Sequence, residues 1–195
     1  MKCTKHYDII VIGAGSAGLN IAGFMNRIGL KVLLIDRSEE NIGGDCLNFG
    51  CVPSKARIHV SRLVKSSIDA KRFGLKCGGN VDLAKVMKYI KDKQEHIREH
   101  ENSAYFRKKG IDIELGDAEF VGSRTVQVEN RSFSAKKLVI ATGSRPRIPD
   151  IAGIENVDYH TNETIFGLKR LPGHLLVIGG GPVGIELGQA FLNLG

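Results

Sequence analysis

The 195-residue chain lacks tryptophan, and only 6% of its residues are aromatic against 42% hydrophobic. Bulk burial must therefore come from aliphatic side chains, as in an α/β protein with a Val/Ile/Leu core. No apolar run approaches the ~20 residues that a bilayer-spanning helix needs. The leader before the first apolar stretch, "MKCTKHYD", carries no signal-peptide hydrophobic region, and a cytoplasmic location is the expectation. There are only four cysteines. Cys3 and Cys77 are isolated, and no histidine pair flanks Cys46 and Cys51, which argues against a paired-ligand zinc site. A basic stripe interleaved with aromatics is also missing, so the formal charge of +7 is not read as nucleic-acid binding. The densest charge, in 85–110, alternates in sign, with Lys88–Asp92 and Lys91–Glu95 spaced as i,i+4 pairs on one long solvated helix.

Glycine is abundant, 24 of 195 residues, and its placement is informative. "YDIIVIGAGSAGLNIAGFMNRIGLKVLLID" (7–36) reads as strand, tight turn, helix and second strand. In the turn, Gly13 allows the reversal, Gly15 lets backbone approach a pyrophosphate, and Gly18 permits close packing of helix on strand. Asp36 closes the second strand, where a carboxylate can accept from an adenosine ribose. A glycine-rich loop and a helix from about Cys51 to Phe73 follow. Short strands come next over 112–134, then a strand entering a proline-stiffened loop at "KKLVIATGSRPRIP".

The opening pattern recurs near the other end. In "HLLVIGGGPVGIELGQAFLNLG" (174–195), Gly179, Gly181, Gly184 and Gly195 repeat the spacing of Gly13, Gly15, Gly18 and Gly29. A second strand–turn–helix is expected there, with its returning strand beyond Gly195. The chain is accordingly expected to belong to a longer protein.

Between the two glycine turns lies "GGDCLNFGCVPSK" (43–55). Residues five apart on a regular helix have Cα atoms about 8–9 Å apart, beyond the ~7 Å reach of a disulfide. A Cys46–Cys51 bridge therefore requires a bent turn, for which Asn48 and Gly50 are suited. Pro53 marks a first helical turn and sets Cys51 at a helix N-terminus, with Lys55 one turn further on. Dipole and ammonium both favour the thiolate form of Cys51, leaving Cys46 as its exchange partner.

This segment resembles the active-site signature of the class I pyridine nucleotide-disulfide oxidoreductases, G-G-x-C-x-N-x-G-C-x-P-[ST]-K, at every fixed position. "IATGSRP" (140–146) and "GDAEF" (116–120) are similar to further segments of the same family, and the likeness runs from Tyr7 to Gly195. It implies a Rossmann-like FAD-binding domain, a parallel sheet with a small antiparallel excursion, over 1–149. A connector would occupy 150–171, and the truncated start of a Rossmann-like NAD(P)-binding domain 172–195.

By the same resemblance, Gly13, Gly15, Gly18, Asp36 and Gly44 would hold the FAD. Ala118, Thr142 and Gly143 would touch it largely through backbone, and Gly179, Gly181 and Gly184 would begin the NAD or NADP site. Cys51 would be the charge-transfer thiol and Cys46 the interchange thiol. Lys55 would approach the flavin and pair with Glu186, with no metal site.

The implied activity is electron transfer from NAD(P)H through FAD to the Cys46–Cys51 pair and on to a disulfide, as in lipoamide dehydrogenase. A mercuric-reductase-like metal-ion reductase is an alternative, and a nucleotide-binding module without turnover is an alternative of another class. The family also implies a homodimer through a further C-terminal domain, and neither nucleic-acid nor membrane partners.

Two positions depart from the family pattern. Asp45 stands where Thr is common, adding a negative charge beside Cys46 that would either oppose ionisation of that thiol or disfavour anionic substrates. Pro182 stands where some branches carry a larger, often aromatic residue.

Overall fold

A computed structural model describes residues 5–195; Cys3 lies outside them. By compactness the chain divides into two discontinuous units. One is built from the chain up to Asn48 with His96–Arg145, the other from Phe49–Glu95 with Pro146–Gly195. No helix among the described residues is long and apolar enough to cross a membrane.

The first unit is organised by a six-stranded sheet. Its strands are β1 (Lys5–Ile12), β2 (Val32–Asp36), β3 (Asp112–Leu115), β4 (Ala118–Gly122), β5 (Thr125–Val128) and β6 (Arg131–Ile140), in the order β3-β2-β1-β6-β5-β4. β1 pairs in parallel with β2 and with β6, and β2 with β3. The segment β4–β5–β6 is an antiparallel meander grafted onto that parallel core. Central strands buried on both faces need continuous apolar runs. Ile9–Ile12 and Val32–Ile35 supply them, all at most 8% exposed.

On one side of the sheet, Ile9, Val11, Val32 and Leu34 pack with Leu19 and Ala22 of helix α1 (Ser16–Arg27). Phe106 of α5 (Ser103–Lys108) joins the same cluster. On the other side, Tyr7, Ile10, Ile12, Leu33 and Ile35 pack with Val126, Val128 and Phe133 of the meander. The period of two along β1 thus sends alternate residues into two separate cores.

In the second unit, α3 (Cys51–Ala70) and the start of α4 (Leu83–Arg98) meet through Ala56, Leu83, Val86 and Ile90. Leu187 and Phe191 of α6 (Pro182–Leu194) close a neighbouring cluster with Ile165.

Four sequence expectations change. The loop before Cys51 contains a short helix, α2 (Gly44–Asn48). The long helix over 85–110 is two helices, because the Asn102 side chain caps α5 by accepting from Tyr105 N–H at 2.8 Å. The same side chain donates to the Arg98 carbonyl at 2.7 Å and so closes α4. Residues 131–140 form one strand, since the residues that pair with β5 continue directly into those that follow β1.

The second expected strand does not form. Leu175–Ile178 has no ladder partner among the described residues, and Leu176 is 86% exposed. A strand exists only as part of a ladder, and an apolar run alone does not supply one.

Candidate functional site

Three backbone segments of the first unit converge around the turn between β1 and α1. Gly13 has φ +105°, and a Cβ on it would run into the Ala141 carbonyl oxygen, just past the end of β6. Gly18 lies so close to Gly13 that a Cβ would enter the Gly13 carbonyl oxygen. The third segment is 43–44: Gly43 N–H donates to the Ala14 carbonyl at 2.9 Å. A Cβ on Gly44, itself at φ +60°, would lie 2.6 Å from Gly15 Cα. At these positions only glycine allows the backbones to approach this closely.

The result is an open helix N-terminus. Gly15 caps α1 without a side-chain acceptor, and no acidic residue stands in the first turn. The first N–H groups of a helix have no intrahelical partners and carry the positive end of the dipole, so such a terminus suits a phosphate. Asp36 secures the turn from the end of β2: its Oδ2 accepts from Ala14 N–H at 2.5 Å and its Oδ1 from Arg37 N–H at 2.7 Å. A carboxylate has about four acceptor sites, so capacity remains for a ribose hydroxyl. Gly116 N–H donates to the Asp36 carbonyl at 2.8 Å, bringing the chain before Ala118 beside the same strand end. Thr142 and Gly143 follow β6 and are exposed, with Gly143 at φ +71°. These residues fit a dinucleotide held by backbone.

The segment that contributes Gly44 also carries Cys46. α2 is anchored through Asn48, whose Nδ2 donates to the Glu40 carbonyl at 3.0 Å and whose Oδ1 accepts from Arg98 Nη2 at 2.8 Å. Both Asp45 and Cys46 lie on this short helix.

In the second unit, Cys51 is the first residue of α3, capped by Gly50 at φ −113°, ψ −115°. That conformation is the break expected between the two cysteines. Cys51 is exposed, Pro53 lies in the first turn, and no acidic residue is there. One turn on, Lys55 Nζ lies 2.6 Å from both Oε1 and Oε2 of Glu186 on α6. Both partners are about half exposed, so the pair contributes little to stability, about 0–1 kcal/mol. A groove of about 320 Å³ beside the pair is lined by Ile58, His59, Arg62 and Gln189. Gly179 (φ +107°) and Gly181, the N-cap of α6, reproduce the backbone of the first turn, and Gly184 packs near Val177.

Comparison with known proteins identifies the scaffold. A family model described as pyridine nucleotide-disulphide oxidoreductase matches residues 7–195. The chain belongs to this family. It is 39% identical to a mercuric reductase from Lysinibacillus sphaericus over 97% of its own length and 35% of the relative's. It is 37% identical to a dihydrolipoyl dehydrogenase from Thermus scotoductus, covering 98% and 41%. Among solved structures, the HOCl-induced flavoprotein disulfide reductase RclA from Escherichia coli superposes with a TM-score of 0.82 at 29% identity, over 97% of this chain and 40% of that one. The chain therefore spans well under half the length of these family members. The α/β fold with its mostly parallel sheet is that of the family's nucleotide-binding architecture.

Sequence reasoning did not single out Ala141, whose carbonyl makes Gly13 obligatory, because only the fold brings 141 behind 13. It also missed Arg57, which is completely buried. A signal for it was present: 53, 56, 57 and 61 share the buried face of α3 at helical spacing.

Proposed function

We propose that the chain forms the nucleotide-binding and redox-active part of an FAD-dependent oxidoreductase that moves electrons from NADH or NADPH to the Cys46–Cys51 pair and on to a disulfide substrate. In this reading 1–149 is the first FAD-binding segment, 150–171 a connector and 172–195 the start of the NAD(P)H-binding domain. The observation that carries the proposal is the contact of Gly44 with Gly15, which seats the cysteine-bearing segment against the dinucleotide turn.

FAD, when bound, supplies two-electron transfer between a nicotinamide and a dithiol. Gly13, Gly15, Gly18 and Gly44 would admit its pyrophosphate, Asp36 its ribose, and Ala118, Thr142 and Gly143 further backbone contacts. Gly179, Gly181 and Gly184 would open the nicotinamide-dinucleotide site. Two electrons and two protons convert the Cys46–Cys51 disulfide to two thiols. The Cys46 thiolate then attacks a substrate sulfur, one substrate thiol leaves, and Cys51 attacks Cys46 to release the second and restore the disulfide. Lys55, held by Glu186, keeps a positive charge on the face of α3 one turn from Cys51.

A metal-ion substrate is the second reading, supported by the likeness to mercuric reductases. The cytoplasmic location, the homodimer and the absence of membrane or nucleic-acid partners belong to the proposal as well.

Absorbance of the purified chain with FAD tests cofactor binding, and bleaching by NADH or NADPH tests electron entry. Mild oxidation followed by peptide mass mapping should show a Cys46–Cys51 linkage. Cys46→Ser should abolish disulfide reduction and keep the long-wavelength band of a thiolate against flavin. Full turnover by that variant would sink the assignment of the interchange thiol.

A further inference from the structure

Among the described residues, the second unit holds a buried cation with no ion-pair partner. Arg57 on α3 is 0% exposed and heads the largest fully buried side chains. Its Nη2 donates to the Met87 sulfur at 3.2 Å, while Nε and Nη1 have no hydrogen-bond partner among the described residues. Two aromatic rings lie against the guanidinium: its central carbon is 4.5 Å from the Phe191 ring centroid and 4.9 Å from that of Phe166. Burial lowers its pKa to about 10, so the group is still charged at neutral pH.

Burying an unpaired charge is costly, and an apolar side chain of similar volume often packs as well or better. Stability alone is thus a poor reason to bury Arg57 here, and its shape offers another. A guanidinium is flat, with two faces that rings can cover and no freedom to slide out of the stack. A Lys ammonium or a Met thioether has no such plane.

The positions of the two rings matter. Phe191 belongs to α6, five residues after Glu186, and Phe166 to a 3-10 turn at Ile165–Gly167. Arg57 lies two residues after Lys55 on α3. The side chain thus joins the helix that carries Lys55 to the helix that carries Glu186. The Lys55–Glu186 pair is half exposed, and exposed pairs are too weak to fix the packing of two helices. Its bidentate geometry must be imposed from the buried side.

We propose that Arg57 is a positioning residue whose guanidinium, set against Phe191 and Phe166, locks α3 against α6 in the rotation that lets Lys55 meet both Glu186 oxygens. The proposed function explains why that pair matters, but the lock is a property of the polypeptide and can be read without cofactor.

Amine acylation by acetic anhydride, followed by peptide mass mapping, measures the accessibility of the Lys55 ammonium. Lys65 on the same helix, paired with Asp69 at 2.8 Å, serves as internal reference. Glu186→Gln sets the rate for unpaired Lys55, expected to be about two- to fivefold above the wild type, the range an exposed pair can supply. Arg57→Met and Arg57→Lys should both move Lys55 towards that faster rate, with Lys65 unchanged and cooperative unfolding retained. An unchanged Lys55 rate in either folded variant overturns the proposal: in Arg57→Met because no lock is needed, in Arg57→Lys because charge alone suffices. Loss of cooperative unfolding in both variants overturns it too, since Arg57 would then serve general stability. Failure of Glu186→Gln to accelerate Lys55 sinks the pair and with it the lock. FAD absorbance, recorded separately, reports on the proposed function.

Discussion

The two glycine turns of this chain share a fingerprint and a backbone but not an environment. Gly13 and Gly179 have φ +105° and +107°. The N-caps Gly15 and Gly181 adopt φ −80°, ψ −174° and φ −74°, ψ 167°. Each is followed by an apolar helix. Around the first turn, however, the Gly18 Cβ position collides with the Gly13 carbonyl, and Ala141 and Gly44 press in from two other segments. Around the second, a Cβ on Gly179 or Gly181 would meet nothing within 4 Å. The residues before the first turn form a buried strand, while Leu175–Ile178 stays exposed and unladdered. Local sequence thus sets turn conformation in both places. The requirement for glycine as a small residue comes from neighbours: among the described residues, other segments press on the first turn, whereas at the second only Gly184 meets close atoms, those of Val177 and Gly179.

The largest predicted effect breaks this symmetry directly. Gly18→Ala places a methyl group inside backbone that cannot move aside. It should destabilise the first unit by about 3 kcal/mol or more, the upper end of overpacking costs. Gly184→Ala meets the Val177 side chain at 3.0 Å and the Gly179 oxygen at 3.1 Å. Small adjustments suffice there, and alanine's better helix propensity offsets part of the cost, so the net change should stay within about 1 kcal/mol. Denaturant unfolding of the two variants checks the contrast, and equal losses would refute it.

A smaller effect sharpens the same comparison through hydrogen bonding. Asp36→Asn keeps an acceptor for Ala14 N–H but removes the charge, and should cost about 1–2 kcal/mol. FAD affinity should fall with it. Glu186→Gln on the helix after the second turn removes an equally short pair, yet a half-exposed one, and should cost at most about 1 kcal/mol. Unfolding midpoints for both variants under one set of conditions decide between these outcomes.

The contrast also explains what the sequence made legible. The first β-α-β unit, the bent turn at Gly50, Cys51 at a helix start and the brief strands of the meander are dictated by neighbouring residues, through apolar runs, Pro53 and glycine spacing. The match at every fixed position of 43–55 pointed to the family and implied the Lys55–Glu186 pair, 131 residues apart. Features set by long-range packing were not legible. Nothing near Gly13 says that Ala141 stands behind it. The side chain of Arg57 looks like any solvated helix cation until Phe166 and Phe191 are folded against it.

The smallest predicted effect concerns how the strand before the first turn is tied at its other end. Asp8 of β1 accepts from Lys136 Nζ of β6 at 2.6 Å and from Lys31 N–H, at the entry to β2, at 2.9 Å. The Lys136 hydrogen bond, followed by the Lys31 backbone bond, holds the Asp8 carboxyl below its ordinary value of 3.8. A carboxyl whose folded value is depressed binds its proton less readily in the native state. Its contribution is therefore complete above pH 3.8 and disappears as the pH falls through the lowered folded value. Asp8→Asn should melt slightly below the wild type at pH 7 and converge with it on acidification below that range. Added salt at pH 7 should narrow the gap as well, because the pair faces solvent. If the difference in melting temperature persists unchanged at both pH values, the Asp8 charge does not tie β1 to its neighbours. The strand before the first turn would then be held by its backbone ladder and apolar burial alone.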